Sequence, residues 1–376
     1  MKLVTVIGAR PQYVKAAPVS RALADAGIAE VFVDTGQHHD DTLSRVFIQD
    51  LEMAPPDRIL GIAGGSHAAM TGRMLAAIEP VLETENPDMV LVYGDTNSAL
   101  AAALTAAKLA IPVAHVEAGL RCFQATMAEE INRRLVDHLS TLLFCPSQVA
   151  ADNLAREGIG GPADPLRRGV FSVGDVMVDT LRLFGGRTAR HPLLSGLADR
   201  SYALVTAHRA ETTDDPVTLT NLVDQLTALA DRLPVVLPLH PRTRKALAAL
   251  CKLDGLQSAP NLHVLEPLGY LDFTVALRRA RLVVTDSGGV QKEAAILGVP
   301  CLTLRNETEW PETLESGWNR LVGRRPDDLA ALAEAAVPPG GGPLTVYGDG
   351  HAAGRIGEHI KEWATAAPSA SSDAVR

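Results

Sequence analysis

The strongest constraint on this chain is a recurring unit: a short apolar run that ends at glycine or a polar residue and leads into a stretch with helical spacing. Such runs, apolar on both sides and rich in Val, Leu and Ile, mark strands buried in a parallel sheet between helices. The stretch from Val90 to Arg134 shows the unit best. Met89–Tyr93 and Val113–Val116 read as two such strands, separated by a helix of small residues. Asp95 follows the first strand and Glu117 ends the second, while Glu129 and Glu130 open the next helix. Ligands of open α/β sheets sit outside the carboxyl ends of the strands. Several carboxylates are therefore expected around one crevice, which is the equipment of proton chemistry.

The same reading places strands at Lys2–Ile7, Val31–Asp34, Leu142–Cys145 and near Phe171, then a second series at Tyr202–Thr206, Val235–Leu239, Leu262–Leu265, Leu282–Thr285 and Cys301–Leu304. Helices are expected over Val14–Asp25, Asp41–Leu51, Ser66–Thr84, Ser147–Glu157, Val217–Leu233 and Arg355–Trp363, with another running on from Gly289 to Leu297. A segment rich in Gly, Arg and Pro, Phe184–Arg200, reads as a connector. A chain of 376 residues should then form two α/β domains, spanning 1–180 and 201–345, with a disordered tail over 365–376.

Composition excludes several classes. Aromatic residues are only 4% against 47% apolar overall, which suits a helix-covered parallel sheet better than a β-sandwich. The net charge of -9 argues against a nucleic-acid surface, so an anionic substrate would need a local basic pocket. Cys122, Cys145, Cys251 and Cys301 lack metal-ligand or redox spacing and are expected as buried free thiols. No apolar run is long enough to span a bilayer, and the N-terminus enters a strand without a signal peptide, so a cytoplasmic protein with no membrane partner is expected.

Binding signals stand at strand ends. Thr285-Asp-Ser-Gly-Gly-Val-Gln-Lys-Glu293 carries a strand straight into a helix. Gly288 and Gly289 let a phosphate approach the backbone, Ser287 can donate its hydroxyl, and the helix N–H groups favour an anion. Glu293 could take ribose hydroxyls; the bland alternative is a Gly turn with a Ser cap. The Gly-Lys-Ser/Thr of a P-loop is absent, as is a Gly-x-Gly-x-x-Gly after the first strand, so no dinucleotide cofactor is indicated. Arg10 and Lys15 stand where a helix dipole does not favour cations, which hints at an anion there. His208-Arg209 and His240-Pro-Arg242 follow strands of the second half. Gly36-Gln37-His38-His39-Asp40 is a polar loop, more readily a substrate contact than a metal site. No Gly-x-Ser-x-Gly elbow exists, so a hydrolase triad is not expected.

Taken together, Arg10-Pro11…Lys15, Gly36-Gln37-His38, Gly94-Asp95-Thr96, His115-Val-Glu117-Ala-Gly-Leu-Arg121, Glu129-Glu130-Ile-Asn132-Arg133, Thr206-Ala-His208-Arg209, Asp286-Ser-Gly-Gly-Val-Gln-Lys-Glu293 and the late Tyr347-Gly-Asp-Gly…Arg355-Ile356 resemble the bacterial UDP-N-acetylglucosamine 2-epimerase family, in its non-hydrolysing branch. The motifs occur in order over nearly the whole chain. The resemblance implies a GT-B architecture: two Rossmann-like domains facing across a cleft, with a C-terminal helix, 351–364 here, returning to the first. It implies interconversion of UDP-GlcNAc and UDP-ManNAc without metal or NAD, by elimination of UDP to a 2-acetamidoglucal and re-addition to the other face. It also implies a homodimer serving cell-surface polysaccharide biosynthesis. By resemblance Asp95, Glu117 and Glu129 are the acid/base carboxylates. His208, Arg10 and Lys15 hold or protonate the departing diphosphate. Ser287, Gly288, Gly289 and Glu293 hold phosphate and ribose, and the neighbourhood of Tyr270 holds the uracil.

The chain departs from the common pattern at Gln12-Tyr13, at Ala128, at Ala210-Glu211 and at Trp310. These features resemble the sub-branch associated with UDP-2,3-diacetamido-glucuronate, which leaves the substituents at C3 and C6 open. Gln37, Arg209 and His240 match parts of a second, activating UDP-GlcNAc site of some members. The competing readings are a hydrolysing epimerase that releases ManNAc, a GT-B glycosyltransferase, and a non-catalytic UDP-sugar-binding regulator.

Overall fold

A computed structural model describes residues 1–37, 48, 50–166, 168–185, 191–340 and 342–366. They form two compact units, one comprising residues 1–183 with the segment from Tyr347 to the last helix, the other Phe184–Val346.

The first unit carries seven parallel strands: β1 (Lys2–Ile7), β2 (Ala29–Asp34), β3 (Arg58–Ile59), β4 (Met89–Tyr93), β5 (Val113–Val116), β6 (Leu142–Cys145) and β7 (Gly169–Ser172). Their order in the sheet is β3-β2-β1-β4-β5-β6-β7. β1 pairs with β2 from Lys2 opposite Ala29, and with β4 from Leu3 opposite Met89. The chain thus winds outward in both directions from the β1/β4 pair, which is the topological switch point of a doubly wound sheet. Every residue of β4 and β5 is buried. Val4, Val6, Val90 and Val92 pack on one face against Met74, Ile78 and Leu82 of the helix His67–Glu85 and the alanines of Asn97–Lys108. Ala99, Ala102, Ala103 and Ala106 are fully buried, and their small side chains let that helix lie close to the sheet.

The second unit carries six parallel strands: β8 (Ala203–Thr206), β9 (Val235–Pro238), β10 (Leu262–Leu265), β11 (Leu282–Thr285), β12 (Cys301–Thr303) and β13 (Asn319–Leu321). Their order, β10-β9-β8-β11-β12-β13, repeats the doubly wound plan with its switch point between β8 and β11. Alternate residues feed opposite cores, as the two-residue period of a strand requires. Val205, Val235 and Val284 face the helix Pro216–Ala230, while Leu204, Val236 and Val283 face Ala276, Leu277 and Ala294.

Several elements differ from the sequence reading. The first helix begins at Arg10 rather than Val14, because Pro11 fits the first turn and Gln12 reaches back to accept from Gly8 N and Ala9 N. A helix at Val176–Phe184 fills the stretch before the connector, to which the sequence reading gave no element; it is started by Asp175, which accepts from Met177 N at 2.8 Å. The connector itself contains the short helix Pro192–Gly196. The last helix spans Ala352–Ala366, so residues 365 and 366 are helical rather than tail; 367–376 lie outside the described residues. The expected helix Asp41–Leu51 falls mostly outside them too, as does His38-His39-Asp40. Of the cysteines, Cys145 and Cys301 are buried as expected, but Cys122 is half-buried and Cys251 is exposed. The last helix packs on Arg10–Asp25, with Gly357 facing the Ala22 backbone. Among the described residues no helix is long and apolar enough to cross a membrane.

Candidate active site

In the first unit the switch point is held by a buried amide. Gln12 Oε1 accepts from Gly8 N (2.8 Å) and Ala9 N (3.0 Å), and its Nε2 donates to Tyr93 O (2.8 Å) and Thr96 Oγ1 (2.9 Å). One side chain thus joins the ends of β1 and β4, where diverging strands leave backbone groups without ladder partners. Next to it, Gly94 turns the chain at φ +61, donating its N–H to Val116 O at 2.9 Å. Gln37 lies at the same sheet edge, its Oε1 accepting from Ser98 N (3.1 Å) and Ser98 Oγ (2.8 Å).

The carboxylates surround this turn. Glu117 is buried and sits at φ +70, in the left-handed region that side chains other than glycine avoid. Strain of this kind costs about 1–3 kcal/mol and gathers at functional sites. Its N–H and that of Ala118 both donate to Phe144 O at 3.1 Å, which fixes the bend. Lys15, one turn into the first helix, forms an ion pair with Glu117 Oε2. Asp95 is ion-paired to Arg133 Nη2 at 2.6 Å, and its carbonyl accepts from Asn132 Nδ2 at 2.8 Å. Glu129 is half-buried in the first turn of the helix Ala128–Leu139 and has no hydrogen bond or ion pair with another described residue. Its neighbour Glu130 is spent on structure: it accepts from Cys122 N (3.1 Å), Phe123 N (3.0 Å) and Arg133 Nη1 (2.8 Å). Burial pushes the Glu130 carboxyl up, but these backbone and guanidinium donors outweigh burial and hold it below the usual range.

Beneath the carboxylates runs a buried network that sequence reasoning passed over. His115, in the middle of β5, faces Asp137 Oδ1 through Nδ1 (2.7 Å) and the Gly94 carbonyl through Nε2 (2.9 Å). Asp137 also accepts from Gly119 N (3.2 Å) and Arg121 Nη1 (2.7 Å), and Arg121 makes a two-pronged pair with Glu157. Burial opposes ionisation of Asp137, but His115 and Arg121 outweigh it and hold its pKa low. The available signal was a histidine inside a four-residue apolar strand, because a buried ring must find partners.

In the second unit the switch point is held by a carboxylate. Asp286, fully buried, accepts from His208 N (2.9 Å) and Arg209 N (2.9 Å), and lies 3.5 Å from His208 Nδ1. This fixes the loop after β8, leaving the His208 ring partly exposed beside that of His240, with centroids 5.4 Å apart. His240 begins the helix Pro241–Ala249, its Nδ1 accepting from Arg242 N at 3.2 Å, while Arg242 is paired with Asp214 at 2.5 Å. Ser287 stands at the N-cap of Gly288–Ile296 but does not cap it with its hydroxyl. The first-turn amides therefore keep donors that no capping side chain takes. Gly288 has no room for a side chain: a Cβ would lie 2.0 Å from Glu309 Oε1, and the other oxygen of that carboxylate, Oε2, is paired with Arg305 at 3.0 Å. Glu293 is buried one turn in, and Lys292 lies over the Trp310 ring at 4.1 Å. Tyr270 is also buried and opens the helix Tyr270–Arg279 after β10.

Structure thus gathers Arg10, Lys15, Gln37, Asp95, Glu117 and Glu129 along the carboxyl edge of the first sheet, and His208, Arg209, His240, Ser287, Gly288 and Gly289 along that of the second. Among the described residues no cluster of three or more His, Cys, Asp or Glu could hold a metal ion.

Two doubly wound parallel sheets, each with polar residues at its switch point, make this a GT-B-type α/β protein. The family model for UDP-N-acetylglucosamine 2-epimerase matches residues 21–361. A UDP-2,3-diacetamido-2,3-dideoxy-D-glucuronate 2-epimerase from Pseudomonas aeruginosa is 48% identical, over 96% of this chain and 99% of its own length. A UDP-N-acetylglucosamine 2-epimerase from Methanocaldococcus jannaschii is 41% identical over 95% and 98%. The crystal structure of the Methanocaldococcus jannaschii UDP-GlcNAc 2-epimerase in complex with UDP-GlcNAc and UDP matches with a TM-score of 0.88 at 39% identity, covering 96% of this chain and all of that one. The chain belongs to the UDP-N-acetylglucosamine 2-epimerase family and is an epimerase.

Proposed function

We propose that the protein inverts C2 of a UDP-2-acetamido sugar, with UDP-GlcNAc and UDP-ManNAc as its substrate pair. The supporting observation is the set of carboxylates at the ends of two adjoining strands and the start of the next helix, with Glu117 strained and paired to Lys15 and Glu129 left without a partner among the described residues. One carboxylate removes the C2 proton while the C1–O bond breaks, and UDP departs with the electron pair. The resulting 2-acetamidoglucal has a C1=C2 double bond. A second carboxylic acid protonates C2 on the opposite face as a UDP oxygen re-forms the bond to C1. Asp95, Glu117 and Glu129 supply the proton-transfer groups. Arg10, Lys15 and His208, with the donors of Ser287, Gly288 and Gly289, stabilise the charge that develops on the departing diphosphate. Glu293 takes the ribose, and the loop before Tyr270 the uracil.

The 48% identical relative favours a second reading, in which the sugar is a UDP-2,3-diacetamido-glucuronate. Incubation with each nucleotide sugar in deuterium oxide, followed at C2 by NMR, tests both. Deuterium at C2 with formation of the 2-epimer is the expected result, and the larger kcat/KM identifies the substrate. No exchange with either compound refutes the proposal. Release of the free sugar in place of the epimer transfers the protein to the hydrolysing branch.

A further inference from the structure

The carboxylates need a common frame, because proton transfer falls off steeply when the reacting groups are misplaced. Asp95, Glu117 and Glu129 come from three different segments: the turn after β4, the end of β5 and the helix Ala128–Leu139. His115 meets all three. Its strand carries Glu117 two residues on. Its Nε2 reaches the Gly94 carbonyl at 2.9 Å, one residue before Asp95, and its Nδ1 reaches Asp137 at 2.7 Å on the helix whose first turn carries Glu129. A carbonyl only accepts, so Nε2 donates to Gly94, while Nδ1 faces the Asp137 carboxylate. His115 and Asp137 are fully buried, so these bonds have no competition from water. Gly119 N and Arg121, both bound to Asp137, extend the frame to the segment after Glu117.

We infer that His115 is a positioning residue for the epimerisation, fixing the Gly94–Asp95 turn against the strand that leads to Glu117 through its Nε2 hydrogen bond, while the Asp137 bond orients the ring. The inference rests on the proposed assignment of those carboxylates to proton transfer. Its two bonds can be cut separately. His115→Asn places an amide near the Nδ1 position, keeping Asp137 and releasing Gly94, whereas His115→Gln reaches the Nε2 position, keeping Gly94 and releasing Asp137.

The experiment compares both variants with the wild-type protein by thermal unfolding, hydrogen exchange of the backbone, and steady-state kinetics on the substrate that the wild type turns over. His115→Asn is expected to lose protection at residues 94–97 and to lower kcat by about 30- to 100-fold, with KM changed less than about threefold. His115→Gln should keep that protection and retain most of kcat, even if its melting temperature falls equally. Equal kcat per folded molecule in both variants, or unchanged protection at 94–97 in His115→Asn, overturns the inference. A wild-type protein that exchanges no deuterium at C2 overturns the functional reading instead, and the exchange protection still reports on the frame.

Discussion

Gly94→Ala tests whether the Glu117–Lys15 pair sits at the reacting centre. Gly94 lies at φ +61, and an alanine Cβ there would stand 3.0 Å from Glu117 Oε2 and 3.5 Å from Lys15 Nζ. The left-handed backbone costs alanine about 1–2 kcal/mol, offset by about 0.4–1 kcal/mol from its narrower unfolded ensemble, so the backbone term alone destabilises by roughly 1 kcal/mol. Gly27 provides the control. It sits at φ +72 beyond the first helix, with nothing within 4 Å of an added Cβ, so Gly27→Ala carries the backbone term without the contact. Both variants should therefore melt a few degrees lower, by similar amounts, in the unit that contains them. They should differ in turnover. The closer contact forces Glu117 to retreat by a few tenths of an ångström, and misplacements of the order of 1 Å cost about 100-fold, so Gly94→Ala should lose about tenfold in kcat. Gly27→Ala should keep the wild-type rate. Equal turnover in the two variants, at equal losses of melting temperature, would refute a catalytic location for the pair.

Glu117→Gln and Glu129→Gln should each lower the rate of C2 exchange by about 100-fold or more, the scale of a lost acid or base, while calorimetry finds UDP affinity nearly unchanged; near-normal exchange in both would remove them from proton transfer. Gly288→Ala must push aside Glu309, because the new Cβ falls 2.0 Å from its Oε1, and UDP should bind about tenfold more weakly, or ~1.4 kcal/mol. Unchanged UDP affinity would place the diphosphate elsewhere. Asp137 and Glu130 have folded pKa values below their ordinary ones, so they bind fewer protons when folded than unfolded at acid pH. Their stabilisation is complete above the unfolded carboxylate range and is lost as pH falls from about 4 through the depressed folded values. Asp137→Asn should be less stable at neutral pH and show a shallower acid loss; an unchanged acid slope would exclude Asp137 from that transition.

Legibility in the sequence followed burial. β4, β5, β6 and β11 lie where the apolar runs place them, because each is a continuous buried segment between helices; β10 does too, although only its Leu262 is buried. The edge strands β3 and β13 were not visible: Arg58–Ile59 is exposed, and Asn319–Leu321 has one fully apolar position. Pairing with a neighbour, not hydrophobic pattern, makes them strands. Asp95 and Glu117 could be picked out because they stand at strand ends, where a ligand would lie. Gln12 and Asp137 could not, since the one looks like an ordinary polar residue of a turn and the other like one on a helix. Their roles arise from partners 81 and 22 positions away, Tyr93 and His115, which only the sheet order brings near.

The two switch points solve one problem in two ways, and the difference bears on where an anion can bind. Strands that diverge leave backbone donors at their ends, and buried donors must be satisfied. In the first unit Gln12 takes the N–H groups of Gly8 and Ala9, so the mouth of the first helix has already spent donors that a dinucleotide-type loop would offer to phosphate. Cationic side chains, Arg10 and Lys15, stand there instead. In the second unit Asp286 takes the N–H groups of His208 and Arg209, on the β8 side of the switch point. The helix on its other side keeps its donors, since Ser287 does not cap it and glycine occupies its first two positions. The second unit therefore offers oriented amides at Gly288 and Gly289 to an anion, whereas the first offers cationic side chains, of which Lys15 is paired with Glu117.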